Sequence, residues 1–221
     1  MFAVIFEVQP RSGQRDAYLA RGRMLKPEIE QIDGFVDNVR YRSLTREGLI
    51  LSLSSWRDEK SVVRWRIQSR HHDAQEQGRA AILADYHLRV GEITHDTQLP
   101  AGHTLQQQRL DETEVGSGTA MSLTTASMAA QRVLEEAPSA LAVHLGLDPH
   151  APGLVAWDVL DAVLTPGDLI LLRTWRDASC AQAGTTMAAD ARTRIVRVVR
   201  DYGMFDRREA PQFYPEAARP S

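Results

Sequence analysis

One cysteine in 221 residues, Cys180, excludes an internal disulfide framework and any zinc site built from several thiolates. Cys180 itself reads first as a small buried hydrophobe and second as a reactive thiol. No apolar run approaches the ~20 residues that a membrane helix needs. The N-terminal MFAVIFEVQP is too short, and lacks the basic flank, for a signal peptide. Charge of one sign is also scarce. The formal net charge is −3, with 15 Lys/Arg against 14 Asp/Glu over residues 1–98 and 11 against 15 over the rest. No half is basic enough for a nucleic-acid partner. There is no phosphate-binding glycine loop, no nucleophile elbow and no His-x-x-x-His spacing. These absences exclude dinucleotide-fold and zinc-hydrolase chemistry, and they leave a cytoplasmic protein without membrane or nucleic-acid partners as the expectation.

What is present is an ordinary globular balance, 43% hydrophobic and 25% charged, sufficient for one large core or two small ones. The chain is organised around Gly48–Ile93. That stretch reads as a strand, a long polar-rich helix and a second strand.

Upstream, Phe2–Val8 is a strand apolar at nearly every position, implying burial on both faces. Glu7 within it reads as an edge or interface charge. Gly13–Ile32 is helical, with a kink or restart at Pro27, which has no N–H to give. Phe35–Ser43 and Leu49–Trp56 form a hairpin. Leu51 and Leu53 share one face, and Ile50, Ser52, Ser54 and Trp56 the other. Asp58 is the expected cap of the next helix, with Ser61 as alternative. Val63, Ile67 and Ala74 sit at core spacing along it. Gly78 weakens its continuity, Arg79–Ala84 continues or restarts it, and Tyr86–Ile93 closes the unit. The order β-α-β-β-α-β is a ferredoxin-like unit, whose open sheet face needs a partner.

That partner lies further along the chain. GLILSLSSWRD at Gly48 returns as GDLILLRTWRD at Gly167, a shift of 119 residues, and Asp85–Tyr86 returns as Asp201–Tyr202 after 116. A near-constant shift marks internal duplication. The expected organisation is a first repeat at 1–94, a linker at 95–118, a degenerate second repeat at 119–209 and an extended tail at 210–221. Within the second repeat, Thr119–Leu123 reads as a strand and Ala126–Ala137 as a helix stopped by Pro138. Gly153–Val163 and Gly167–Trp175 form the hairpin, and Asp177 opens a helix whose second part is Met187–Arg200. Tyr202–Arg208 is the expected final strand.

The two hairpins, the Asp33–Gly34–Phe35 turn and the Trp-Arg-Asp at the third strand's end resemble the antibiotic biosynthesis monooxygenase family, most closely over Met1–Glu92. The resemblance implies an α+β fold: a ferredoxin-like dimeric α/β barrel, here with both β-α-β-β-α-β repeats in one chain. It implies a pocket between sheet and helices, and oxygen chemistry on an electron-rich aromatic or quinol without flavin or metal. Haem binding or degradation is an alternative, and so is a non-catalytic ligand-binding or assembly protein on the same barrel. It also implies that Trp65 lines the pocket. The Asn that polyketide oxygenases carry one turn earlier is Ser61 or Val62 here. The iron-binding His of haem-degrading members is replaced by Gln75, with His72 one turn before. Gly184 stands where the repeat shift would put a second Trp65, so the first repeat is expected to hold any pocket.

The candidate site is therefore the stripe Trp65, Ser69, His72 and Glu76, which shares one face of a continuous helix. His72 is the candidate base or haem ligand and Trp65 the stacking wall. Arg66 and Arg70, at i and i+4, are candidate anion anchors, and Tyr86 a hydroxyl at the pocket mouth. His71, about 100° away, reads as solvated. Two repeats complete one barrel in a monomer, or the chain forms a homodimer.

Overall fold

The computed structural model describes residues 1–186 and 190–211. The first repeat runs β1 (Phe2–Pro10), α1 (Arg15–Ile29), β2 (Phe35–Ser43), β3 (Ile50–Trp56), α2 (Glu59–Ile67), α3 (Ser69–Gln77), a π-helical turn (Gly78–Ile82) and β4 (Leu83–Asp96). The second runs β5 (Ala120–Ser127), α4 (Ala130–Glu135), α5 (Pro138–His144), β6 (Leu154–Ala162), β7 (Asp168–Trp175), α6 (Ala178–Gly184) and β8 (Arg192–Gly203). Each repeat is an antiparallel ferredoxin-like sheet, β4-β1-β3-β2 and β8-β5-β7-β6. The two sheets close one barrel within the chain, through β4 against β8 and β2 against β6. The seams are unequal: β4 and β8 pair from His87–Gly203 to Asp96–Arg194, whereas β2 and β6 meet only over Tyr41–Ser43.

The pleat assigns the faces. Ile5, Leu51, Leu53, Met121, Leu123 and Leu172 fill the barrel. Phe2, Trp56 and Val90 point outward under Ile29 of α1 and Val62 of α2. Val159, Leu169 and Leu171 do the same under α4 and α5. Each such side chain contributes about 1.5–3 kcal/mol when fully buried. Among the described residues, no helix is long and apolar enough to cross a membrane.

The duplication extends to the helix caps. Asp58 accepts the Ser61 N–H at 2.8 Å, and Asp177 accepts that of Cys180 at 2.8 Å. Gly34, at φ +89°, lies against the Ser61 side chain, and Gly153, at φ +81°, against Cys180. In each repeat that glycine's carbonyl receives the N–H of the arginine before the cap, Arg57 or Arg176. Cys180 thus occupies the place of Ser61.

Several expectations are corrected. Glu7 is not an edge charge: β1 is paired on both sides, and the carboxylate is 4% exposed, held by Arg89 and Arg46. α1 does not restart at Pro27 but runs through it, in its last turn, giving up the hydrogen bond that an N–H there would make to the Arg23 carbonyl. Ile67 is exposed at the end of α2, and Val62 packs inward instead. Pro138 does not simply stop a helix. It opens α5 at a position where no N–H is required. The stretch after α6 is strand, not helix: β8 begins at Arg192, where β-branched residues find β4 and β5 on either side. Residues 187–189 of the expected helix, and 212–221 of the expected tail, lie outside the described residues. The expected linker packs onto the barrel, with Thr113 and Val115 buried and Leu105 against the core.

Candidate active site

The layer between the first sheet and its helices begins with hydroxyls and amides among aromatics. On the outward face, Asn38 donates to Ser52 Oγ at 3.0 Å, and Trp56 donates to Ser54 Oγ at 2.9 Å. Tyr18 of α1 reaches the same patch beside Arg40 and Ser52, and burial pushes its phenol upward. Arg40 Nε is buried with no partner among the described residues. Phe6 and Tyr86 meet at 5.7 Å beside it.

α2 and α3 form the opposite wall, and a break at Gln68 determines its geometry. Gln68 is extended, at ψ 130°, and its side-chain oxygen caps α3 by accepting the His71 N–H at 2.8 Å. The expected continuous stripe is therefore cut after Ile67. Ser69 is exposed at the start of α3, and His72 faces Glu76 at 3.5 Å, their side chains 45% and 60% exposed. His71, expected in solvent, instead stacks on Trp65 with ring centroids 4.2 Å apart and planes at 14°. Its Nδ1 lies 2.9 Å from the Trp65 carbonyl oxygen and 3.2 Å from the Gln75 amide. A carbonyl only accepts, so the shorter contact assigns the proton to Nδ1 and leaves Nε2 as the free base. Burial draws the His71 pKa down to about 4, so the ring is neutral near pH 7.

The remaining candidates are distributed. Arg70 pairs with Glu28 at 2.6 Å and is separated from Arg66 by the break. Arg66 Nε is buried without a partner among the described residues. The Tyr86 hydroxyl accepts from Arg79 at 2.8 Å and Arg207 at 2.5 Å, and its ring shares an apolar cluster with Tyr202. Sequence periodicity missed His71 because it assumes an unbroken helix. It missed the Tyr18–Arg40–Ser52 patch because those residues lie on three elements.

A cavity of about 350 Å³ opens at one mouth of the barrel, with a wall that includes Asp37, Tyr41, Asp168, Arg192 and Arg194. Arg194 donates to Ser55 Oγ at 3.1 Å, and Arg192 pairs with Asp96 at 2.7 Å. Among the described residues, no group of three His, Cys, Asp or Glu side chains is arranged to hold a metal ion.

A family model described as Antibiotic biosynthesis monooxygenase matches residues 1–77. The chain is 47% identical to the Jasmonate monooxygenase ABM of Pyricularia oryzae over 223 residues, covering 99% of this chain and 100% of that protein. Among solved structures, aldoxime dehydratase matches with a TM-score of 0.51 at 11% identity, over 89% of this chain and 80% of that one, a likeness of fold alone. The chain is a member of the antibiotic biosynthesis monooxygenase family.

Proposed function

We propose that this family member oxidises a small, largely apolar carboxylic acid of the jasmonate class with O2. The observation that carries this reading is the 47% identity maintained along 99% of the chain to a jasmonate monooxygenase. It favours such an acid over the aromatic or quinol expected from the sequence. His71, rather than His72, is the proposed base: it is neutral, its Nε2 holds the free lone pair, and Trp65 fixes its plane. Trp65 and the Phe6–Tyr86 pair supply apolar wall, and Arg66 and Arg40 supply charge. Ser69, Arg70 and Glu76 take supporting places at the rim.

The reading is of chemistry without flavin or metal, in a cytoplasm that keeps the one thiol reduced. The haem alternative needs His72 beside a flat apolar surface. His72 faces a carboxylate at half exposure, and Trp65 is already covered by His71, so these residues do not fit a proximal haem site. A jasmonate-class acid carries a ketone, and removal of a neighbouring proton by His71 would yield an enolate able to reduce O2. With no other reductant the balanced outcome is CH2 + O2 → C=O + H2O. Hydroxylation requires two further electrons and two protons.

Purified protein is incubated with jasmonate, with and without NADPH, while O2 is followed and products are identified by mass spectrometry. O2 consumption matched to jasmonate loss, abolished in His71→Gln, is expected. Oxidation of quinols or naphthols with jasmonate untouched would overturn the substrate class. A Soret shift on haem addition, lost in His72→Ala, would instead establish haem binding.

A further inference from the structure

The second repeat carries a buried cation that no acid among the described residues balances. Arg173 of β7 is 1% exposed. Its guanidinium donates to the Gly146 carbonyl at 3.1 Å and to Thr124 Oγ1 at 2.7 Å, and its Nε has no partner among the described residues. Other buried arginines are matched: Arg89 by Glu7, Arg197 by Glu92 and Arg192 by Asp96. Arg194 at the barrel mouth lies in the field of Asp37 and Asp96, whereas burial draws Arg173 down to about 10 and its guanidinium carbon lies 5.8 Å from the centre of the Trp175 ring. A guanidinium offers five N–H donors, and two neutral acceptors repay little of its lost hydration.

The strand registers show that this is a departure from the first repeat. Val4 pairs with Ser54 on β3, and Phe6 pairs with Leu88 on β4. The corresponding pairs are Ser122 with Arg173, and Thr124 with Thr193. Two apolar pairing partners and a phenylalanine have become hydroxyls around an arginine that replaces a serine. Thr124 and Thr193 are buried 3.4 Å apart, and the buried Thr185 Oγ1 also has no partner among the described residues. Leu141, Leu145 and Leu147 supply an apolar surround in the same layer.

We propose that Arg173, with Thr124 and Thr193, receives the carboxylate of a small apolar acid between the second sheet and α5. The planar fork suits two carboxylate oxygens. The site does not rest on the function proposed above: it lies outside the second sheet, across the barrel from His71 outside the first, so the acid it holds is a second molecule and not the one that His71 would oxidise.

The test measures binding without turnover. Jasmonate, its methyl ester and hexanoate are titrated anaerobically against wild type, Arg173→Met and Arg173→Lys by tryptophan fluorescence. The acid's Kd is expected to rise about 10- to 100-fold in Arg173→Met, with the ester's nearly unchanged. The Tm of the free variant should hold or rise, because an unbalanced charge is removed. Arg173→Lys, which keeps the charge, should lose a smaller part of the preference for acid over ester. It carries the test alone if the Met variant does not fold. An acid-to-ester ratio unaffected by both variants, or no carboxylate binding by wild type, overturns the proposal. Carboxylate binding that depends on Arg173 without jasmonate oxidation would sink only the proposed reaction.

Discussion

The imidazole of His71 lies flat on the indole of Trp65, 4.2 Å away, tethered through Nδ1 to the carbonyl of the residue it covers. Trp65 lies near the end of α2 and His71 in the first turn of α3, on either side of the break at Gln68, so the contact ties two short helices into one wall.

Stability should carry the signature of that buried ring. In the unfolded chain His71 takes a proton near pH 6.5; in the folded protein it does so only near pH 4. Between these values the unfolded state binds more protons, so stability is full above about pH 6.5, falls as pH drops toward 4, and levels below it. The shift corresponds to an upper limit of about 3 kcal/mol. Urea midpoints of wild type and His71→Gln across pH 4–7 check this. Equal slopes in the two proteins would refute it.

Trp65 is half-buried against the cluster of Phe2, Trp56 and Val62. Trp65→Phe should cost about 1 kcal/mol and Trp65→Ala about 3 kcal/mol. In activity, His72→Ala should stay within about twofold of wild type, while His71→Gln falls at least about tenfold. Steady-state rates on one substrate decide between the two histidines.

The glycines under the caps should tolerate nothing larger. A Cβ at Gly34 would sit 2.0 Å from Ser61 Oγ, and one at Gly153 2.3 Å from Cys180 Sγ, both at positive φ. Gly34→Ala and Gly153→Ala should each lose at least about 2 kcal/mol. By contrast, Cys180→Ser should stay within about 1 kcal/mol, because Ser61 fills the matching place in the first repeat. Chemical denaturation of the three variants provides the comparison.

Inside the barrel, Glu7 holds Arg89 and Arg46, and these charges outweigh its burial to keep the carboxyl below its ordinary range. Removing the partner leaves a buried charge, so Arg89→Met should destabilise by about 3–5 kcal/mol, and Arg89→Met with Glu7→Leu should recover part of it. A double-mutant cycle on unfolding free energy reads the coupling directly. The Glu7 contribution is present above about pH 4.5 and is lost as pH falls through its lower folded value.

Much of the fold was legible because it rests on local rules. Alternation put Leu51 and Leu53 opposite Ser52, Ser54 and Trp56, and the structure seats them on the inside and outside of the barrel. Asp58 and Asp177 cap as read, since an N-cap depends on four consecutive residues. The face without a partner announced a second sheet, and the shift of 119 residues said where to find it. The candidate site was less legible. Helical periodicity treats Trp65 to Glu76 as one cylinder, and one residue, Gln68, in an extended conformation rotates everything after it.

By itself, then, the sequence determined the duplicated β-α-β-β-α-β order, the inward and outward faces and the caps, since each follows from contacts spanning a few residues. Only the tertiary structure decided that β1 has no free edge and that β8 replaces a helix. It alone paired His71 with Trp65, and it left Arg173 buried with no acid among the described residues. The His71–Trp65 contact spans six positions but turns on the break at Gln68, and the other outcomes depend on partners tens of positions away, whose competition for hydrogen bonds and charge no local pattern records.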